Sequence, residues 1–138
     1  MSTVPSGKVL LDTNIVSYLM RGGELAQRYL PHLEDKLAAI SFITVGELYY
    51  GAEKRCWGEL KRRSLEATLR RFVVIPYDAE IARHYGRALA ERQRIGRPIE
   101  TNDAWIAACA TRHAIPLVTH NAGDFRDIAS LELISEQI

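Results

Sequence analysis

Short apolar runs alternate with longer segments of helical periodicity along this sequence, and no other feature constrains its fold as strongly. The short runs predict buried strands at residues 8–11, 38–41, 72–75, 116–119 and 131–134. The longer segments predict helices at residues 15–20, 24–33, 45–55, 57–71, 79–95 and 102–113. Strands that alternate with helices pair in parallel through right-handed crossovers. We therefore predict an α/β fold, a three-layer α/β/α sandwich with a central, mostly parallel sheet.

Length and composition are those of one globular unit. The chain has 138 residues, of which 47% are hydrophobic and 25% are charged, and it contains no repeat or low-complexity linker. We therefore predict a single domain over residues 1–138. Nowhere do about 18 consecutive apolar residues occur, so we predict neither a membrane span nor a signal peptide.

Net charge and cysteine content narrow the class of protein further. The formal net charge is +1, which does not by itself indicate a nucleic-acid-binding protein. The two cysteines, Cys56 and Cys109, are too few for a disulfide framework and lack the spacing of a zinc site. We therefore expect a reduced, cytoplasmic protein in which any contact with nucleic acid depends on local charge.

Acidic residues that follow predicted strands, or begin the helices that come next, are Asp12, Glu47, Asp103 and Asp124. In parallel α/β sheets, ligands bind beyond the carboxyl ends of the strands. Taken singly, Asp12 could cap a helix, Glu47 could interact with a helix dipole and Asp124 could belong to a surface turn. Asp103 could also cap a helix, although Thr101 or Asn102 could do so equally well. Their shared rim favours one common function.

A shared metal ion explains the four acids together. Carboxylates gathered on one rim repel one another, and they stay ionised together only when cations compensate them. An all-oxygen cluster without His or Cys suits Mg²⁺ or Mn²⁺ rather than zinc. Such ions activate water and stabilise an in-line displacement at phosphorus. The pattern therefore favours phosphodiester hydrolysis.

Four sequence segments carry a family resemblance that runs nearly from end to end. They are LLDTN at 10–14, ISFITVGELYYGA at 40–52, NDAWIAACA at 102–110 and LVTHNAGDF at 117–125. In this order and spacing they resemble the PIN-domain nucleases, in particular the VapC-like toxins of toxin-antitoxin pairs. The resemblance implies a PIN-like sandwich, a Mg²⁺ or Mn²⁺ centre and endoribonuclease activity on RNA. It also implies a homodimer that is neutralised by a small, VapB-like antitoxin protein.

The same motifs imply roles for individual residues. The four acids correspond to the family's metal-site residues, and the supporting polar groups correspond to Thr13, Asn14, Thr119 and Asn121. Our hypothesis is that Asp12 and Asp103 bind the metal directly. Glu47 and Asp124 would bind it through water, or complete a second site when RNA supplies phosphate oxygens. By analogy with the family, cleavage would leave a 5′-phosphate and a 3′-hydroxyl.

Basic and aromatic residues offer candidate contacts for partners. The basic candidates for RNA are Lys54, Arg55, Lys61, Arg62, Arg63, Arg92, Arg94 and Arg97. We favour Arg94 and Arg97, which approach Asp103, whereas charges at helical spacing usually form a solvated face. The residues that could form either core or an apolar surface for an antitoxin helix are Tyr49, Tyr50, Trp57 and Leu60. Among the histidines, His120 lies closest to the acids in sequence, and we interpret His32, His84 and His113 as structural.

Rival classes fit the spacing less well. A phosphatase of the haloacid-dehalogenase type would need a second aspartate two positions after the first, where this chain has Asn14. A receiver-like signalling domain would need an early acidic pair and an aspartate on a central strand. A catalytically silent PIN-like module that binds RNA or protein is the remaining alternative. The presence of all four acids favours an enzyme.

Overall fold

A computed structural model describes residues 7–137 of the chain. Its elements in chain order are β1 (Gly7–Leu11), α1 (Thr13–Arg21), α2 (Glu24–Leu33), β2 (Lys36–Ser41), α3 (Phe42–Lys54), α4 (Glu59–Leu69), β3 (Val73–Ile75), α5 (Ala79–Arg94), α6 (Thr101–His113), β4 (Leu117–Val118), α7 (Ala122–Phe125) and β5 (Leu133–Ile134). The single-domain prediction extends over residues 1–6 and 138 as well, which lie outside the described residues.

The strands form one parallel sheet in the order β3-β2-β1-β4-β5. Strand β1 lies at the centre, where Leu10 pairs with Ala39 of β2 on one side and with Leu117 of β4 on the other. The chain adds β2 and β3 on one side of β1 and then adds β4 and β5 on the opposite side. The direction of strand addition therefore reverses between β1 and β4. Such switch points open a crevice at the carboxyl ends of the strands. The predicted parallel sheet is confirmed.

Alternate residues of the central strand face two separate helical layers, as the pleat requires. Leu10 belongs to a core cluster with α5 and α6, which contribute Ile81 and Ile106. Val9 and Leu11 belong to a second cluster on the opposite face, built with helices α1 to α4. Burial on both faces explains why the strand sequences are continuously apolar. The predicted three-layer sandwich is confirmed.

Helix α3 begins earlier than the sequence pattern predicts. Ser41 ends β2 and caps α3 at once, because its Oγ accepts a hydrogen bond from the backbone N–H of Thr44 at 3.2 Å. No loop therefore separates β2 from α3, although the sequence pattern predicts a helix that starts only at Val45. Glu47 lies beyond the first turn, where the helix dipole has little effect. The dipole explanation for Glu47 is wrong.

The segment between α5 and α6 also differs from prediction. Gly96 adopts a φ of +72° just after α5, close to the end of the helix predicted over residues 79–95. Helix α6 then begins at Thr101 with Glu100 at the cap position and no side-chain capping hydrogen bond. Capping by Thr101 or Asn102 is therefore wrong. In the part of the chain that the structure describes, no helix is long and apolar enough to cross a membrane.

Candidate active site

Asp12 occupies the centre of the rim, directly after β1. Its Oδ1 accepts the backbone N–H of Ile15 at 3.0 Å and so caps α1. Its Oδ2 accepts a hydrogen bond from the Thr119 hydroxyl at 2.5 Å, just beyond β4. The side chain is thus held by the first turn of α1 and by the residue that follows β4, and Asp12 is only 5% exposed. Capping and membership of the site, which the sequence presented as alternatives, are combined in this residue.

Glu47 joins three helices at the same rim. The Thr13 hydroxyl of α1 donates to Oε1 at 2.6 Å, and Nδ2 of Asn102 in α6 donates to Oε2 at 3.3 Å. Two donors from different helices fix the plane of the carboxylate. Asn102, which the sequence suggested only as a helix cap, orients an acid of the cluster.

A chain of buried hydroxyls lies behind Glu47. Because the Thr13 hydroxyl donates its proton to Glu47, its neighbour Thr44 must donate to Thr13, and their oxygens are 3.0 Å apart. Ser41 in turn donates weakly to Thr44 at 3.5 Å. Each hydroxyl has one proton, so all of them point toward the carboxylate. Ser41 and Thr44 were not predicted from the sequence, and the only local hint was a pair of hydroxyl residues at a strand-helix junction.

Among the predicted acids, Asp103 has the most strongly shifted pKa. It lies in the first turn of α6 and is partly buried. Burial, followed by the negative charges of Glu100, Asp124, Glu47 and Asp12, raises the pKa of Asp103 to about 7. All of the predicted acids therefore share one electrostatic field. At neutral pH and without a compensating cation, Asp103 is therefore partly protonated.

The pKa of Asp12 is also raised, and burial is the main cause. The hydrogen bonds from Thr119 and Ile15 lower it, because they stabilise the carboxylate, while the charge of Glu47 raises it again. The opposing causes leave the ionised form destabilised in the protein alone. A cation at this position would reverse that balance.

Glu100 is an acid of the site that was not predicted from the sequence. It lies at the cap position of α6, and its charge raises the pKa of Asp103 more than any other single charge does. Its spacing of three residues from Asp103 at a helix start was the available signal, since residues so spaced share a helix face. Glu100 is exposed, so its own charge is well solvated.

The remaining predicted polar residues lie at the edges of the rim. Asp124 is exposed on α7, a segment for which the sequence suggested a surface turn. Asn121 precedes that helix, and its backbone N–H donates to the Thr119 hydroxyl at 3.0 Å. Asn14 is exposed at the beginning of α1. The structure therefore places Asp124 on a separate, short element, from which its charge raises the pKa of Asp103 more than the charges of Glu47 and Asp12 do.

The donor set fits a hard, hydrated cation. Within residues 7–137, no group of three or more His, Cys, Asp or Glu side chains is placed so that it could hold a metal ion by itself. Mg²⁺ does not need one, because it keeps several of its waters and is commonly held by one or two carboxylates and the substrate's phosphates. The raised pKa values of Asp12 and Asp103 mark these two as the carboxylates that a cation would relieve most. The residues therefore fit Mg²⁺ or Mn²⁺.

A groove adjoins the acids on the side of α1, α3 and α4. It has a volume of about 930 Å³, and Thr13, Glu47 and Asn102 form the end of it that meets the site. Its other walls include the apolar Tyr50 and Trp57 and the basic Arg21, Lys54, Arg55 and Lys61. Tyr49 and Leu60, the other two members of the predicted apolar surface, are exposed but do not line it.

Several of the predicted basic contacts have other partners. Arg92 is only 4% exposed and is bound to backbone carbonyls, so its prediction as an RNA contact is wrong. Arg62 pairs with Glu53 at 3.0 Å, and Arg63 pairs with Glu59, as in a solvated helix face. Arg97 forms an ion pair with Asp127, while Arg94 is exposed at the end of α5.

His120 adjoins the acid cluster, where its charge lowers the pKa of Asp12, while His32 and His84 have partners elsewhere. Nδ1 of His120 is 2.6 Å from the hydroxyl of the buried Tyr29, and His32 pairs with Glu136 at 2.6 Å. His84 contacts the hydroxyl of Thr111 at 2.9 Å. Cys109 is buried, which raises the pKa of its thiol to about 12 and makes it a poor nucleophile.

Replacing Thr119 with Val tests how Asp12 is held. The variant loses the hydroxyl that donates to Asp12 and accepts from Asn121, so we expect the pKa of Asp12 to rise further. We also expect the free energy of unfolding to fall by about 1–3 kcal/mol, because buried groups lose their partners. Carboxyl NMR titration and urea denaturation measure these changes. Thr68→Val on α4 is the control, and an unchanged pKa of Asp12 would contradict the prediction.

Comparison with known proteins agrees with this geometry. Residues 9–131 match the PIN domain family. The chain is 36% identical over 126 residues to Ribonuclease VapC2 of Haemophilus influenzae, covering 90% of this chain and 94% of that protein. It is 35% identical over 124 residues to the tRNA(fMet)-specific endonuclease VapC of Shigella flexneri, with coverage of 90% and 94%.

Solved structures give the same result. The structure of VapBC2 from Rickettsia felis, bound to a DNA fragment from the promoter, contains a chain that superimposes with a TM-score of 0.83 at 29% identity, covering 93% of this chain and 98% of that one. VapBC-1 of nontypeable Haemophilus influenzae gives a TM-score of 0.75 at 33% identity, with coverage of 93% and 97%. The chain belongs to the PIN domain family.

Proposed function

We propose that this chain is a Mg²⁺- or Mn²⁺-dependent endoribonuclease that acts as the toxin of a toxin-antitoxin pair. The observation that carries the proposal is the acid cluster, in which burial and neighbouring carboxylates raise the pKa of Asp103 to about 7. Relatives named as ribonucleases, one of them specific for a tRNA, support RNA as the substrate. Solved complexes of similar chains with antitoxins support a cognate, VapB-like antitoxin as the partner.

The chain's own residues would hold the cation and orient the acids. Asp12 and Asp103 would bind Mg²⁺ or Mn²⁺ directly, and Glu47 and Asp124 would bind it through water. When bound, such an ion lowers the pKa of a coordinated water and neutralises charge on a phosphate. Thr119 fixes the Oδ2 of Asp12, while Thr13 and Asn102 fix the plane of Glu47. These hydrogen bonds leave little reorganisation for the moment of reaction.

The groove beside the acids is the proposed site of antitoxin docking. Tyr50 and Trp57 offer it apolar surface, and an amphipathic helix that binds there would cover the approach to Glu47. Arg94 and Arg97 remain the proposed RNA contacts outside the groove. We further propose that the protein is a homodimer and acts in the cytoplasm, where the free thiols of Cys56 and Cys109 would stay reduced.

Induced expression in bacteria tests the toxin function. We expect the wild-type chain to arrest growth, and the Asp12→Asn variant to permit it, because the amide can still cap α1 but cannot bind a cation as a carboxylate does. Co-expression of the product of an adjacent short open reading frame should restore growth. Glu132→Gln is the matched control, since this exposed acid precedes β5 at the opposite rim of the sheet. Growth arrest by the Asp12→Asn variant would contradict the proposal.

A further inference from the structure

We propose that Arg92 is a positioning residue of the site, whose buried guanidinium fixes the short helix carrying Asp124 against the segment that leads into Asp103. The inference rests on the proposed nuclease function for its kinetic consequences, although its structural part is independent of that function. Arg92 is among the basic residues that the sequence suggests as RNA contacts, but its side chain is buried and cannot serve as one.

The guanidinium of Arg92 binds three backbone carbonyls on two segments. Nη1 donates to the carbonyl oxygens of Asp124 and Arg126, both at 2.9 Å. Nε donates to the carbonyl oxygen of Arg97 at 2.6 Å. One side chain in the last turn of α5 therefore connects the end of α7 to the loop between α5 and α6.

The chemistry of these partners is unusual for a buried cation. Among the ion pairs formed within residues 7–137, none involves Arg92, so its charge is satisfied by carbonyl dipoles alone. The carbonyls of Asp124 and Arg126 lie at the carboxyl end of α7, where the helix leaves them without internal partners. The planar guanidinium of arginine has several N–H donors and can bind such carbonyls simultaneously, whereas the ammonium of lysine cannot match their geometry.

The elements that Arg92 connects have little stability of their own. Helix α7 has four residues, too few for helical hydrogen bonds to hold it in isolation. It is followed by Asp127, a non-glycine residue with a φ of +64°, a conformation that costs energy. At the other end of α7, the side chain of Gln137 accepts the backbone N–H of Ala122 at 3.0 Å. Contacts from outside the helix therefore hold both of its ends.

The position of Asp124 matters because the proposed function places it in the acid cluster, and α7 is the short element that carries its exposed side chain. Arg92 lies on α5, which packs against α6 and so against the element that carries Asp103. Without the guanidinium, α7 would separate from this frame and Asp124 would leave its place in the cluster.

Hydrogen exchange tests the structural part of the proposal in the metal-free protein. We expect Arg92→Gln to accelerate amide exchange at residues 122–127, with little change at residues 104–110. Arg92→Lys should give an intermediate increase in amide exchange at residues 122–127. This variant replaces Arg92→Gln in the experiment if the Gln variant does not fold. Arg87→Gln is the matched control, because it removes the same charge from an exposed position of α5. Equal exchange at residues 122–127 in the Arg92 and Arg87 variants would overturn the proposal, whether or not the protein cleaves RNA.

A double-mutant cycle tests the functional part. In the wild-type background, Arg92→Gln should lower kcat for RNA about 10- to 100-fold with little change in KM, as expected when a reacting group is displaced. In the Asp124→Asn background the same substitution should lower kcat less than about twofold, because its effect passes through Asp124. Leu65→Val, a core change on the opposite face of the sheet, controls for general loss of stability. Equal losses of kcat in both backgrounds would overturn the proposal.

Discussion

The Asp103→Asn variant is expected to lose RNA cleavage at pH 7 by at least about 1000-fold while becoming more stable than the wild type in the absence of metal. Cleavage is lost because an amide replaces the carboxylate that the proposed cation would bind directly. Stability is gained because the same carboxylate is buried beside the negative charges of Glu100, Asp124, Glu47 and Asp12. The two opposite effects distinguish a functional acid from a structural one.

The pH dependence of this gain follows from the pKa of Asp103, which rises from 3.8 to about 7 on folding. Between these values the native state binds more protons than the unfolded chain, so the free energy of unfolding falls as pH rises from about 4 to 7. The amide of the Asp103→Asn variant cannot ionise, so the free energy of unfolding of the variant does not show this fall with pH. Because Asp103 is only partly buried, solvent screening reduces the effect, and we expect a gain of about 1 kcal/mol at pH 7.5, or about 3 °C in Tm.

Denaturation in the presence of a chelator, at pH 5 and pH 7.5, measures the change. Glu132→Gln, which removes a carboxylate at the opposite rim, should have no comparable effect on stability or on cleavage. A variant at Asp103 that is less stable than the wild type at pH 7.5 would show that the carboxylate makes favourable contacts instead. Retained cleavage would remove Asp103 from the proposed metal site.

The second large effect is expected on removal of divalent cations. Cleavage should fall to background in a chelator and return with Mg²⁺ or Mn²⁺, because the proposed reaction needs the cation to activate water and to neutralise charge on the phosphate. Binding should also raise the Tm of the protein without RNA, since the ion binds the native state. Below pH 7, protons compete for Asp103, so the apparent affinity should fall about tenfold for each unit of pH.

Thermal unfolding with and without Mn²⁺ at pH 6 and pH 8 tests this competition. The rise in Tm should be larger at pH 8, and it should be nearly absent in the Asp103→Asn variant at both pH values. Potassium chloride at the same ionic strength controls for screening of the acid cluster. A rise in Tm that does not depend on pH, or cleavage that survives the chelator, would contradict the prediction.

Local sequence patterns were sufficient for the architecture and for the position of the main acids. The apolar run that ends at Leu11 predicted a buried strand, and β1 lies at the centre of the sheet as such a run requires. Because the carboxyl ends of parallel strands share one rim, Asp12 and Glu47 could be expected to lie close together before the fold was known. In a parallel sheet, a residue that directly follows a strand lies at the carboxyl edge of the sheet, so its position there can be predicted from the sequence.

Only the tertiary structure decided which side chains act on those acids. The hydrogen bond from Thr119 to Asp12 joins residues 107 positions apart, and the one from Asn102 to Glu47 joins residues 55 positions apart. Arg92 looks in sequence like any other arginine of a solvated helix face, and its burial follows from how the ends of α5 and α7 meet. The periodicity of apolar residues indicates which face of a helix or strand is buried. Contacts between residues far apart in sequence depend on how the helices and the sheet pack in three dimensions.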